Sequence, residues 1–260
     1  MIRHFLCSAL LLLLLHFLSG GSVACASAQS QELLVSAAIS LKESLVKIAG
    51  EFEKVHPGLK IDLNFGASGE LSQQISRGAP VDVFASAGWK QIEQLDKGGF
   101  LLKQSIKRFA SNRLVIIVPP QSPEFSALEK LSCVKSLAMG NPETVPAGMY
   151  AAEALRKAGI FQELSGSHRL VFTENIRQTL AYVESGDVDA GIVYSTDALM
   201  SPKVKVTFQV PENYSEQIVY AIAVVKDSKN NALAQEFTRF VCSKSGCDIL
   251  RSNGFLPNSK

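Results

Sequence analysis

The chain has 260 residues, 26 Lys and Arg against 24 Asp and Glu, a net charge of +2, and 47% hydrophobic residues. With no basic excess and no block of like charge, it lacks the clustered cations that nucleic acid or an anionic membrane surface requires. Of its four histidines only His56 and His168 lie beyond residue 28, and two isolated histidines do not make a metal centre.

The first segment reads as an export signal. Arg3 gives a positive start, Phe5 to Leu18 is almost wholly apolar, and Ala26-Ser27-Ala28 has the small-x-small form cut by a signal peptidase. Residues 1–28 are therefore expected to be removed, leaving Gln29 first and a soluble periplasmic protein, because the apolar run is shorter than the ~20 residues of a membrane span. A second reading makes Cys25 a lipidated first residue, although Ser22 stands where such sites carry a leucine-like residue. Cleavage leaves three cysteines, Cys133, Cys242 and Cys247. In an oxidising compartment they allow one bridge, with Cys242 and Cys247 the close pair in sequence.

From Glu32 the pattern alternates strands and helices. A short apolar strand at Glu32 to Ser36 precedes a helix with Leu41, Leu45, Ile48, Ala49 and Phe52 on one face. Leu59 to Phe65 alternates with period two, as a half-buried strand does. A helix through Leu71 and Ile75, a strand at Val81 to Ala85 and a helix with Trp89, Ile92 and Leu95 complete a mainly parallel α/β lobe. An apolar strand then ends at Pro119-Pro120 and a second α/β series begins. It comprises strands at Ser136 to Met139, His168 to Phe172 and Ala190 to Tyr194, with helices after Ala147 and Ile176. A long strand at Ile218 to Val225 and a helix with Leu233, Phe237, Phe240 and Val241 close the chain. The expected fold is α/β and two-lobed, like a type II periplasmic binding protein, each lobe a mixed, mainly parallel sheet flanked by helices. Two crossing strands hinge the lobes, with 29–112 and 222–260 in lobe 1 and 113–221 in lobe 2.

Three helix mouths carry the chemistry. Ala37-Ala38-Ile39-Ser40, Gly66-Ala67-Ser68-Gly69 and Pro146-Ala147-Gly148 each follow a strand and open a helix, where free backbone N–H groups and the helix dipole attract anions. Taken singly, a serine there is an ordinary cap, and Ser40 stands three residues before Glu43 at capping-box spacing. Recurrence points instead to one caged oxyanion, since ligands of open α/β sheets lie beyond the carboxyl ends of the strands. Two rival chemistries fit the residues less well. Ser68 nearly sits in a hydrolase elbow, but Glu70 occupies the required second glycine, and only His56 and His168 could serve a triad after cleavage. Asp187 and Asp189 form the nearest carboxylate pair, expected to shape a helix-to-strand turn in which Asp187 satisfies backbone N–H groups.

The ordered set Ala37-Ala38-Ile39-Ser40-Leu41, Phe65-Gly66-Ala67-Ser68-Gly69, Gly78 to Ala87, Gly140-Asn141-Pro142-Glu143-Thr144-Val145-Pro146-Ala147-Gly148 and Gly191 to Ala198 resembles the periplasmic molybdate-binding component of ABC transporters over essentially the whole mature chain. The resemblance implies a high-affinity receptor, not an enzyme, that binds molybdate and also tungstate. It needs no cofactor, works as a monomer and passes its load to a membrane permease. Carried over residue by residue, it implies oxyanion contacts from Ser40, Ser68, the Ala147 backbone, the Ile176 backbone and the Tyr194 hydroxyl, with molybdenum held only through its oxygens. Valine is usual at the position of Ile176, which a backbone donor tolerates. Arg177 is expected to face solvent or join a lobe-surface ion pair. The alternatives are a receptor for sulfate, thiosulfate or another small anion, and a secreted serine hydrolase using Ser68.

Overall fold

The computed structural model describes residues 31–258; the export signal, the cleavage point and Cys25 lie outside the described residues. In chain order the elements are β1 (Gln31–Ala38), a 3-10 turn (Ile39–Leu41), α1 (Lys42–Lys54), β2 (Leu59–Gly66), α2 (Ser68–Ser76), β3 (Val83–Ser86), α3 (Trp89–Lys97) and β4 (Lys107–Ser111). Then follow β5 (Leu114–Val118), β6 (Leu137–Gly140), α4 (Pro146–Lys157), α5 (Phe161–Gly166), β7 (Leu170–Thr173), α6 (Ile176–Ser185), β8 (Ala190–Tyr194), α7 (Ser195–Ala198) and β9 (Lys205–Gln209). The last three are β10 (Val219–Val224), α8 (Asn231–Val241) and α9 (Lys244–Ser252). No helix among them is long and apolar enough to cross a membrane.

The strands form two five-stranded sheets with one design. The first runs β2-β1-β3-β10-β4 and the second β7-β6-β8-β5-β9. In each, three parallel strands are followed by an antiparallel one, β10 beside β3 and β5 beside β8. Those antiparallel strands, β5 and β10, are the ones the chain enters directly after passing between lobes, at residues 112–113 and 210–218. The expected two-lobed, mainly parallel architecture is therefore what the chain adopts. β10 begins at Val219 and lies in the first sheet over its whole length, three residues ahead of the expected return at 222.

Periodicity explains the packing. Leu45, Ile48, Ala49 and Phe52 of α1 are all buried, and Phe52 meets Phe237 and Phe240 of α8 at ring-centroid distances of 5.3 and 5.2 Å. Leu45, Ile48 and Phe52 each contribute about 1.5–3 kcal/mol on burial. A second apolar cluster joins Leu71 and Ile75 of α2, Ile92 and Leu95 of α3, and Phe84, Ala221 and Ala223 of the sheet. The second sheet packs α4 and α6 against β6 and β8.

Several local expectations change. Asp189, not Asp187, satisfies backbone donors, accepting from the amides of Lys135 and Ser136 at 2.7 and 3.0 Å. Asp187 instead accepts from Ser185 Oγ. His168 does not open a strand: it holds φ 55°, the left-handed region, two residues before β7. Cys242 and Cys247 are free thiols, with Cys247 Sγ 3.7 Å from the Cys242 carbonyl oxygen. They flank the α8–α9 turn, and burial pushes the Cys242 thiol up to about 11.

Candidate functional site

Every helix mouth singled out in the sequence opens at the carboxyl end of a parallel strand. Ser40 lies in the turn after β1, Ser68 starts α2 after β2, and Ala147 is the second residue of α4 beyond β6. Ile176 starts α6 beyond β7, and Tyr194 is the last residue of β8. Amides in a first helical turn have no carbonyl four residues back within their own helix. Neither Ala67 nor Val145, the residues preceding α2 and α4, supplies a side-chain acceptor. At α6 the cap is selective: Asn175 Oδ1 takes the amides of Arg177 and Gln178 at 3.0 and 3.1 Å but not that of Ile176. The capping reading of Ser40 fails, because its side chain makes no cap bond and the regular helix begins only at Lys42.

Gly148 seats the α4 mouth. A Cβ there would stand 1.9 Å from the Gly140 carbonyl oxygen, so only glycine lets the first turn of α4 press onto the end of β6.

Ser40, Ser68, Ala147, Ile176 and Tyr194 all line one small cavity, together with Ala87 and Asn175, and no charged side chain is part of that lining. Its volume is only about 10 Å³, so the walls are drawn together. Larger clefts exist, one of about 560 Å³ lined by Arg113, Glu212 and Glu216 at the crossing between lobes. It gathers none of the helix-mouth amides, and the small cavity is the chemically organised one.

Hydrogen bonds set the polarity of the cavity. Ser68 Oγ accepts from the Ala87 amide at 3.1 Å, which leaves its own hydrogen free to donate. Ser40 Oγ lies 3.1 Å from the Tyr220 hydroxyl, which Asn112 Nδ2 also approaches at 3.3 Å. Tyr194 donates to the Ala87 carbonyl at 3.1 Å. Burial, reinforced by neighbouring Tyr220, Tyr150 and Asp197, holds the Tyr194 hydroxyl well above its usual titration range, so it stays protonated. The polar groups of the lining are thus neutral: Ser68 keeps a hydrogen to donate, whereas that of Tyr194 is engaged by the Ala87 carbonyl.

The lobes touch directly around it. Tyr194 reaches Ala87, and the Gly69 amide donates to the Thr144 carbonyl at 2.8 Å. Arg177, expected at a lobe surface, spans the cleft: its Nη2 is 2.6 Å from Glu43 Oε2 on α1, and its Nε is 3.0 Å from Asp197 Oδ1 on α7. Burial pushes the Asp197 carboxyl up to about 7, opposed by Arg177 and assisted by Glu43. Asp197, Tyr220 and Asn112 were not singled out as site residues in the sequence, and the one signal there was that Asp197 lies three residues beyond the strand ending in Tyr194.

A hydrolytic use of Ser68 has no base. The recorded partner of its hydroxyl is an amide, while His56 stacks on Phe52 and bonds the Phe52 carbonyl and Glu236. Among the described residues no group of three or more His, Cys, Asp or Glu could hold a metal ion.

Two similar lobes closing on a cavity of neutral polar groups define a solute receptor. Residues 33–256 match the model of the bacterial extracellular solute-binding protein family, and the chain belongs to that family. The molybdate-binding protein ModA of Haemophilus influenzae is 32% identical over 88% of this chain and 91% of its own. ModA of Escherichia coli is 34% identical over the same shares. The solved periplasmic molybdate-binding protein of Azotobacter vinelandii superposes with a TM-score of 0.78 at 27% identity, covering 87% of this chain and all of the other.

Proposed function

We propose that the protein binds molybdate, and tungstate with it, and hands the anion to the permease of an ABC importer. The ligand is cargo rather than a cofactor. It is held by the hydroxyls of Ser40, Ser68 and Tyr194 and the backbone amides of Ala147 and Ile176, with molybdenum reached only through its oxygens. The chain acts in the periplasm as an exported monomer; retention through a lipidated Cys25 is the alternative anchoring. The observation that carries the reading is the convergence of these five residues, from both lobes, on one cavity without a charged side chain. The molybdate-binding names of its relatives support the same ligand.

Neutral donors suffice energetically. A hydrogen bond to a charged group is worth about 1.5–3 kcal/mol and each helix terminus adds about 0.3–1 kcal/mol. About six donors then supply on the order of 9–18 kcal/mol before dehydration and closure are subtracted, against the ~8–12 kcal/mol of micromolar to nanomolar binding. Hydroxyls and amides donate to an ionised oxygen and gain little from a protonated one, so anions without a proton at neutral pH are favoured. Sulfate is disfavoured by size, because donors placed around a larger tetrahedron leave a smaller one under-contacted. Titration calorimetry of the exported protein with molybdate, tungstate and sulfate tests this. Micromolar or tighter binding of the first two is expected; tighter binding of sulfate, or no binding of any of them, rejects it.

A further inference from the structure

Arg177 occupies a singular place among the charged residues. Of the ion pairs among the described residues, only Arg177–Glu43 joins the two sheets' lobes; the others stay within one. It directly follows Ile176, which lines the cavity, yet Arg177 itself is not part of the cavity wall. Its guanidinium is engaged at two edges. Nη2 forms a hydrogen-bonded pair with Glu43 at 2.6 Å. Nε lies 3.0 Å from Asp197 Oδ1, but the two atoms are not hydrogen-bonded, so this contact is Coulombic. Asp197 is buried, its side chain 1% exposed, whereas Arg177 and Glu43 are 22% and 31% exposed at their side chains. One end of the arrangement is therefore embedded in the second lobe and the other is a releasable surface carboxylate on the first.

Two carboxylates face one guanidinium, so this corner presents no net positive charge to an anion. An arginine meant to grip the ligand would be aimed into the cavity with its fork free. This arginine spends its fork on the opposite lobe.

We propose that Arg177 is a positioning residue, a latch whose ion pair with Glu43 ties the mouth of α6 to the first lobe in the closed form, while Asp197 fixes the direction of the guanidinium. It holds the Ile176 amide against the ligand and slows release without touching it. The inference rests on the oxyanion reading above. Breaking a closed-state contact that is absent at first encounter raises the dissociation rate and spares association.

The test uses the exported full chain and its single tryptophan. Trp89 starts α3 beside Gly88, where an added Cβ would stand 2.9 Å from Pro146 of the other lobe, so its emission reports closure. Stopped-flow mixing with molybdate measures association, and rapid dilution of the loaded protein into ligand-free buffer measures release. Glu43→Gln is expected to raise the release rate about tenfold with association changed less than twofold. Arg177→Gln should do the same, and the double variant should be no worse than the worse single one, since both remove one coupled pair. Release rates within twofold of wild type for both single variants overturn the latch, as do multiplying effects. A tenfold slower association confined to Arg177→Gln also overturns it, because that marks direct contact with the anion. Should Arg177→Gln leave Asp197 unpaired and misfold, the release rate of Glu43→Gln alone decides. If wild type binds neither molybdate, tungstate nor sulfate, the oxyanion reading falls and the latch with it; if wild type binds and the variants match it, only the latch falls.

Discussion

Gly69 is the position where closure is most exposed to a single methyl group. Its amide bonds the Thr144 carbonyl across the cleft at 2.8 Å. A Cβ at 69 would stand 2.4 Å from that oxygen, 2.7 Å from Thr144 Cα and 2.9 Å from its carbonyl carbon. All three atoms are backbone and cannot rotate away, so the lobes would have to part by roughly 1 Å to reach ordinary contact of 3.4–4 Å. Overpacking of this kind costs about 1–3 kcal/mol, and the stretched hydrogen bond adds about 0.5–1.5 kcal/mol. The sum, about 2–4 kcal/mol, corresponds to a loss of roughly 30- to 1,000-fold in molybdate affinity. Folding is affected in the other direction: Gly69 lies in the first turn of α2, where alanine gains up to about 1 kcal/mol of helix propensity over glycine whenever the lobes are apart. Gly69→Ala should therefore bind molybdate far more weakly, by calorimetry, while its ligand-free melting temperature does not fall. Gly50→Ala, with nothing within 4 Å of the new methyl, is the control that leaves affinity unchanged. Affinity of Gly69→Ala within threefold of wild type would refute the reasoning, as would a lower melting temperature with normal affinity.

Ser68→Ala removes one donor to the anion and is expected to weaken molybdate binding about 10- to 150-fold. The Ala87 amide loses its acceptor as well, at about 1 kcal/mol or a few degrees of melting temperature; a large stability loss with intact affinity would make Ser68 merely structural. Tyr194→Phe deletes the donation to Ala87 across the cleft and should cost about tenfold in affinity, with a change below twofold counting against the site. Asp197→Asn tests the buried carboxyl. Its pKa in the folded protein, about 7, lies above the ordinary 3.8, so the native state holds the proton more tightly than the unfolded chain does. This contribution is fully present below pH 4, is lost as pH rises toward 7 and is level above that, amounting to up to about 4 kcal/mol. Urea midpoints from pH 4 to 8 should fall more steeply for wild type than for Asp197→Asn; parallel curves would contradict it.

What one stretch of chain could determine was legible in the sequence. The burying face of α1, the strand-to-helix order and the helix mouths at Ser40, Ser68 and Ala147 all follow from periodicity and from glycine, proline and serine at fixed offsets, which act over a few residues. The same locality explains what stayed hidden. β4 and β9 are edge strands of the two sheets whose sequences, Lys-Arg-Phe-Ala-Ser and Lys-Val-Thr-Phe-Gln, are too short and too polar to signal themselves, and only pairing with β10 and β5 makes them strands. The cap at Asn175, and with it the freedom of the Ile176 amide, depended on a side-chain direction that composition does not encode. The contacts that hold the lobes together join residues far apart in sequence: Arg177 with Glu43 across 134 positions and Tyr194 with Ala87 across 107, as Ser40 with Tyr220 does across 180 within the first lobe. No propensity reaches that far. The chain's local rules determined where an anion could be met by free N–H and O–H groups, and only the folding of two lobes onto each other decided that those groups would face the same point.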